Sequence, residues 1–94
     1  MRIIDIIQIS NVPRHPTKNT PLGTRVKVSK KLLEYNPNCR PLLKLGAIGL
    51  IQKINSYSGN NIIDFIYSVY FPSGKDDAER NQNFSKAEYL EIVF

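Results

Sequence analysis

Apolar and polar residues alternate along three stretches of the chain. Thr24-Arg-Val-Lys-Val28 places Val26 and Val28 on one face and Arg25 and Lys27 on the other, the period of two that a half-buried strand requires. Ile62 to Phe71 keeps that period for longer, with Phe65, Tyr67, Val69 and Phe71 in one row. The last residues, Tyr89 to Phe94, alternate again and direct Leu90, Ile92 and Phe94 inward. A fourth stretch is less regular. Gly46 to Ile54 predicts a strand whose Ile48, Leu50 and Ile54 share a face, with Gly46 and Gly49 marking a turn and a bulge or close backbone approach.

The segments between these strands are punctuated by turn residues. Residues 29 to 45, with Pro37 and Pro41, form a long excursion. Ser56-Tyr-Ser-Gly-Asn-Asn61 reads as a turn, and Pro72-Ser-Gly74 ends the long strand. Lys75 to Asn83 is polar and reads as a solvated loop or short helix. Ser85-Lys-Ala-Glu88 has capping-box spacing, in which the serine hydroxyl meets the backbone donor at Glu88 and the carboxylate reaches back, so a single helical turn is expected before the final strand. Upstream, polar Arg2, Asp5 and Gln8 recur every third residue and suit a helix face, whereas five isoleucines within residues 3 to 9 favour a strand. Both readings stand. Pro13, Pro16 and Pro21 prevent a regular helix from passing through the next segment. The expected organisation is an N-terminal arm (1–12), a Pro-rich linker (13–23) and one domain (24–94).

Four or five short strands, a long early loop and one turn before the last strand describe an all-β fold, a small SH3-like barrel of about five strands with an N-terminal extension. Closing the sheet would remove the edges that a small all-β domain otherwise exposes. An OB-fold competes, but its helix between the third and fourth strands would have to come from Lys75 to Asn83, which is short and lacks an apolar stripe.

Composition narrows the chemistry. At 94 residues the chain holds one modest core, which rules out a multi-domain enzyme. One cysteine excludes an internal disulfide framework and a Cys-based structural zinc site, and one histidine excludes a His-Cys cluster. No apolar run is long enough to span a bilayer, and Asp5 and Gln8 interrupt what would be a signal peptide, so a non-secreted, cytoplasmic protein is expected. Cys39 lies beside Arg40, a setting that can activate a thiol, against the plainer reading of a loop cysteine without a function. His15, between Arg14 and Pro16, has no second ligand or base nearby and is expected to be solvent-exposed. Asp76, Asp77 and Glu79 match no calcium loop, and Gly46 and Gly49 open no phosphate-binding loop. No catalytic, metal-binding or cofactor-binding residue is expected.

Charge is distributed unevenly. Residues 14 to 44 contain eight basic residues and one acid, Glu34, giving +7, whereas residues 45 to 94 contain four basic and six acidic residues, giving −2. A basic region on a mildly acidic body suits an anionic partner, either nucleic acid or an acidic protein. Tyr35, Tyr57 and Tyr70 are the aromatics available for base stacking, though none interleaves closely with the basic run.

The series Val26-Lys-Val28, Tyr35-x-x-x-x-Arg40, Gly46-x-x-Gly49-x-Ile51, Tyr57-x-Gly59, Val69-x-Phe71 and Glu88-Tyr-Leu-Glu91 resembles the variable chain of ferredoxin–thioredoxin reductase over about residues 22–94. Small SH3-like accessory barrels of photosynthesis and nitrogen fixation are similar. Three features depart from the family pattern: Asn36-Pro37 stands in place of a histidine-rich loop, the segment from Phe71 to Phe84 is long, and an Ile-rich arm precedes the barrel. The resemblance implies a non-catalytic subunit in a heterodimer, with the chloroplast stroma as the alternative to the cytoplasm. Its catalytic partner would carry a 4Fe-4S cluster and a redox-active disulfide, and this chain would supply no cluster ligand. The residues expected at the partner interface are Arg25, Lys27, Tyr35, Arg40 and Lys44, with Tyr35 equally readable as an aromatic at the core edge. A basic SH3-like nucleic-acid-binding module, ribosomal or transcription-associated, is the alternative. A peptide adaptor with an aromatic groove is a third possibility, although the chain has no tryptophan.

Overall fold

Val26 and Val28 are buried while Arg25 and Lys27 are exposed, so the first alternating stretch forms the strand it predicts, β1 (Arg25–Val28). The structure is a computed structural model and describes residues 14–59 and 62–94; the arm and Pro13 lie outside the described residues. After β1 come α1 (Lys30–Tyr35), α2 (Pro41–Lys44), β2 (Gly49–Gly59), β3 (Ile62–Tyr70), α3 (Asp77–Arg80), β4 (Asn81–Phe84), a 3-10 turn (Ala87–Tyr89) and β5 (Leu90–Ile92). The strands make one five-stranded sheet in the order β4-β3-β2-β1-β5, every neighbouring pair antiparallel. This is the strand order of an SH3-like barrel. The expected closure is not realised: β4 and β5 do not pair, and the barrel is open between them.

The inward face carries Val26, Val28, Ile51, Tyr67, Val69, Phe71, Phe84 and Leu90, joined by Leu32 of α1 and Leu43 of α2, which cover the interior from the early excursion. Phe71 and Phe84 meet edge-on at 6.3 Å between ring centroids. Pro41 sits in the first turn of α2, where its fixed φ and missing donor cost nothing, and Gly46 reverses the chain after it at φ +77°.

Several expected elements differ. Ile48 and Leu50 do not share the core face; Ile51 does, and it is almost fully buried. A register shift between Ile51 and Lys53 then returns Ile54 to the inner side, so the three residues joined by periodicity fall on two faces. The hairpin ladder continues to the Gly59–Ile62 pair, which makes Ser56–Gly59 strand rather than turn. Within the expected polar loop, α3 is followed directly by the edge strand β4. Phe94 is exposed because β5 ends at Ile92.

Helix-capping chemistry also moved. A helical turn does precede β5, but no side chain caps it. The reciprocal arrangement is found at α3 instead. There the Asp76 carboxylate accepts from the Glu79 N–H (2.8 Å) and the Glu79 carboxylate accepts from the Lys75 N–H (3.0 Å).

Candidate docking surfaces

Two surfaces bring together polar and apolar side chains in arrangements suited to recognition. The first is the outward face of the sheet. Register places Arg25 opposite Leu50, Leu50 opposite Tyr70 and Tyr70 opposite Asn81, one row across four strands. Leu50 and Tyr70 are half-buried in its middle. The next row, Lys53–Ser68–Asn83, adds a third cation to Arg25 and Lys27 on this face. It is braced by the Ser68 hydroxyl, which donates to Asn83 Oδ1 (2.7 Å), and by Gln52 Nε2, which donates to Asn81 Oδ1 (3.3 Å). Across β5, Lys27 faces Glu91. Among the described residues no ion pair involves Arg25, Lys27 or Lys53.

The second surface is a cleft of about 450 Å³ where the barrel is open. One wall, from the α1–α2 connection, presents Asn36, Asn38 and Arg40; the other presents Gln82, Asn83 and Ser85. Leu32, Leu43 and Phe84 form an apolar floor, and Cys39, a half-buried free thiol, also lines it. At its end Tyr35 stacks on Tyr89 with ring centroids 5.8 Å apart, and Lys86 Nζ stands 5.8 Å from the Tyr89 ring centre on that same residue.

The five residues expected at a partner interface therefore divide. Arg25 and Lys27 lie on the outward face. Arg40 lines the cleft, and Tyr35, 76 % exposed, stacks on the cleft-lining Tyr89 without lining the cleft itself. Lys44 is exposed in the last turn of α2. Lys53, Gln82 and Asn83 were not singled out by sequence. Their segments gave no signal because β4 is almost wholly polar and Lys53 follows a bulge.

His15 is exposed as expected but not idle. Its Nδ1 donates to the Leu90 carbonyl (2.8 Å), while Arg14 O accepts from the Ile92 N–H (2.7 Å). The linker thus covers the outer edge of β5. Among the described residues no cluster of His, Cys, Asp and Glu is grouped to hold a metal ion, and no helix is long and apolar enough to cross a membrane.

Lys31 and Glu88 form an exposed ion pair at 2.7 Å that ties α1 to the 3-10 turn. The Lys31 hydrogen bond, with its charge, holds the Glu88 carboxyl below its ordinary value, and the same contact raises the Lys31 amine. A carboxyl lowered in the folded state stabilises the fold above its unfolded pKa and loses that contribution as pH falls through the folded one. The raised lysine acts at the other limit and loses its contribution only as pH rises through its folded value, above the ordinary lysine range. Glu88→Gln is therefore expected to lower the melting temperature slightly near neutral pH, with the deficit shrinking in high salt and as acid protonates the lowered carboxyl. Thermal melts across pH check this; a deficit that persists in acid would assign Glu88 a role other than its charge.

Compared with protein-family models, with curated proteins and with solved structures, the chain gives no match.

Proposed function

We propose that this chain is a non-catalytic accessory subunit that docks on an acidic protein partner through the outward face of β1, β2 and β3. The observation that carries the reading is the Arg25–Leu50–Tyr70–Asn81 row flanked by Lys27 and Lys53, a half-apolar surface rimmed by cations outside any ion pair among the described residues. Apolar side chains in the middle supply burial on association, and rim cations steer and orient an acidic partner. The resemblance to the variable chain of ferredoxin–thioredoxin reductase supplies the finer proposal. In it the partner is a catalytic subunit with a 4Fe-4S cluster, and this chain covers and stabilises it as a heterodimer, in cytoplasm or stroma.

A second reading, nucleic-acid binding, draws on the same row, because Tyr70 stands among Arg25 and Lys53 where a base can stack beside a phosphate. Salt separates the two. Phosphate contacts weaken steeply with ionic strength and are competed by any polyanion, whereas a fitted subunit interface survives moderate salt.

A nuclease-treated pull-down from the native cells, with a visible spectrum of the eluate, is the test. A stoichiometric partner with broad iron–sulfur absorbance supports the reductase-type reading; loss of every partner on nuclease treatment, with no colour, overturns it in favour of nucleic acid. The double variant Arg25→Glu, Lys27→Glu is expected to fold normally and to weaken the partner complex by about tenfold or more, mostly through slower association. Unchanged affinity would move the interface off this face.

A further inference from the structure

We propose that the cleft between the α1–α2 connection and β4 is a second docking site, beside the outward face and meeting it at Asn83, that receives an extended, acid-bearing peptide pairing with the open edge of β4. The edge is identified by hydrogen-bond alternation. Along an antiparallel pair, residues alternate between directing their main-chain groups at the neighbouring strand and away from it. The Phe71 N–H donates to Arg80 O at 2.7 Å. With the register Gln82–Val69 and Phe84–Tyr67, those two pairs are the bonded ones, and Asn81 and Asn83 turn their main-chain groups outward. Asp77 O accepts the Asn81 N–H. The Asn81 carbonyl and both main-chain groups of Asn83 are left facing away from the sheet, and no turn, loop or cap hydrogen bond among the described residues engages them.

The cleft lies along this edge. Inward-facing Gln82 and Phe84 and outward-facing Asn83 all line it, which a cavity on either face of the sheet would not allow. An added strand would therefore gain main-chain hydrogen bonds from Asn83 and set alternate side chains toward the cleft. Leu32, Leu43 and Phe84 offer a dry floor for one apolar side chain. The amides of Asn36 and Asn38, which make no side-chain hydrogen bond among the described residues, face the peptide's second edge.

Charge selects the occupant. Among the described residues Arg40 is the only charged one lining the cleft and it forms no ion pair, and Lys86 stands close by over Tyr89. A partner segment with a carboxylate complements this cation; a second copy's cleft would offer it a cation of the same sign.

The experiment begins with nine-residue peptides selected from a randomised display library on the full-length chain, the enriched sequence then being measured by fluorescence anisotropy. The expected result is an enriched peptide carrying at least one Asp or Glu and slowing exchange of the Asn83 amide when bound. Arg40→Glu is expected to lose at least tenfold in affinity. Asn83→Pro, which removes the outward donor at an edge position that tolerates proline, is expected to lose binding while staying folded, with a small drop in melting temperature from the lost Ser68–Asn83 hydrogen bond that Asn83→Ala shares without losing binding. Arg25→Glu leaves peptide affinity unchanged, so failure here and failure of the outward-face reading are distinguishable. The proposal is overturned if no sequence is enriched, or if the peptide binds Arg40→Glu and Asn83→Pro as tightly as the native chain. It is equally overturned if the Asn83 amide is already protected without peptide. Protection that depends on protein concentration would assign the edge to a second copy, and protection in the monomer would assign it to the chain's own residues 1–13.

Discussion

Val69→Asp unfolds the domain. Val69 is fully buried at the centre of the inward face, paired with Ile51 on one side and Gln82 on the other, and no cation lines its surroundings in the core cluster. A carboxylate there must ionise without a partner or take up a proton, and either course costs several kcal/mol. A chain of this size has only about 5–14 kcal/mol of net stability, so the loss approaches the whole. Leu90→Asp, equally buried on β5, acts in the same way. The check is the amide dispersion of a proton–nitrogen NMR spectrum, with circular dichroism beside it. A dispersed, native-like spectrum for Val69→Asp would mean that the inward row of β3 does not face the core.

Gly49 is the second point of large effect. A Cβ built there would press on Val69 Cγ1 and lie 2.9 Å from Phe71 Cε1, both fully buried. Neither ring nor branched side chain can withdraw without disturbing β3. Gly49→Ala is therefore expected to cost about 1–3 kcal/mol, and Gly49→Val more, because overpacking forces neighbours off their rotamers. Gly59→Ala is the matched control. A Cβ at Gly59 meets nothing within 4 Å, so the same chemical change there should be neutral or slightly stabilising through the unfolded chain. Denaturant midpoints of the two variants decide the matter, and equal midpoints would remove the close approach of β2 to β3 as the reason for a glycine at 49.

Two different signals predicted a special role for Gly49 and the inward row of β3, and both were local. Strand β1 shows how far such signals reach: four residues with a strict period of two, two of them buried and two exposed as the pattern requires. Strand β2 shows where they fail. A bulge inserts one residue between Ile51 and Lys53 and reverses the faces beyond it, so a period counted straight through from Ile48 joins residues that lie on opposite sides. Strand β4 carries one buried apolar residue in four, because an edge strand beside an open cleft has little to bury, and its polar sequence reads as loop. The capping spacing Ser85–Glu88 was present but not used. The Glu88 carboxylate meets Lys31 from far away in sequence, and the Glu88 carbonyl accepts from the Ser29 hydroxyl at 2.6 Å. Competition from distant partners is invisible to a local pattern.

The docking surfaces divide along the same line. Arg25 and Lys27 were legible because alternation alone puts them opposite a buried pair. Tyr35 and Arg40 were legible only as an aromatic and a cation in a basic stretch; that Arg40 shares a cleft with Gln82 and Asn83, and that Tyr35 stacks on its Tyr89, follows from the fold-back of α1 and α2 onto β4.

From residue order alone come the all-β class, the inward rows of β1 and β3, the turn before the last strand and the basic first half. Each follows from steric preference, alternation or charge within a few neighbouring residues. The open gap between β4 and β5, the facing of β2 beyond its bulge, the His15 anchor on β5 and the cleft were decided by tertiary structure, because each depends on which distant backbone groups find partners and which are left directed outward.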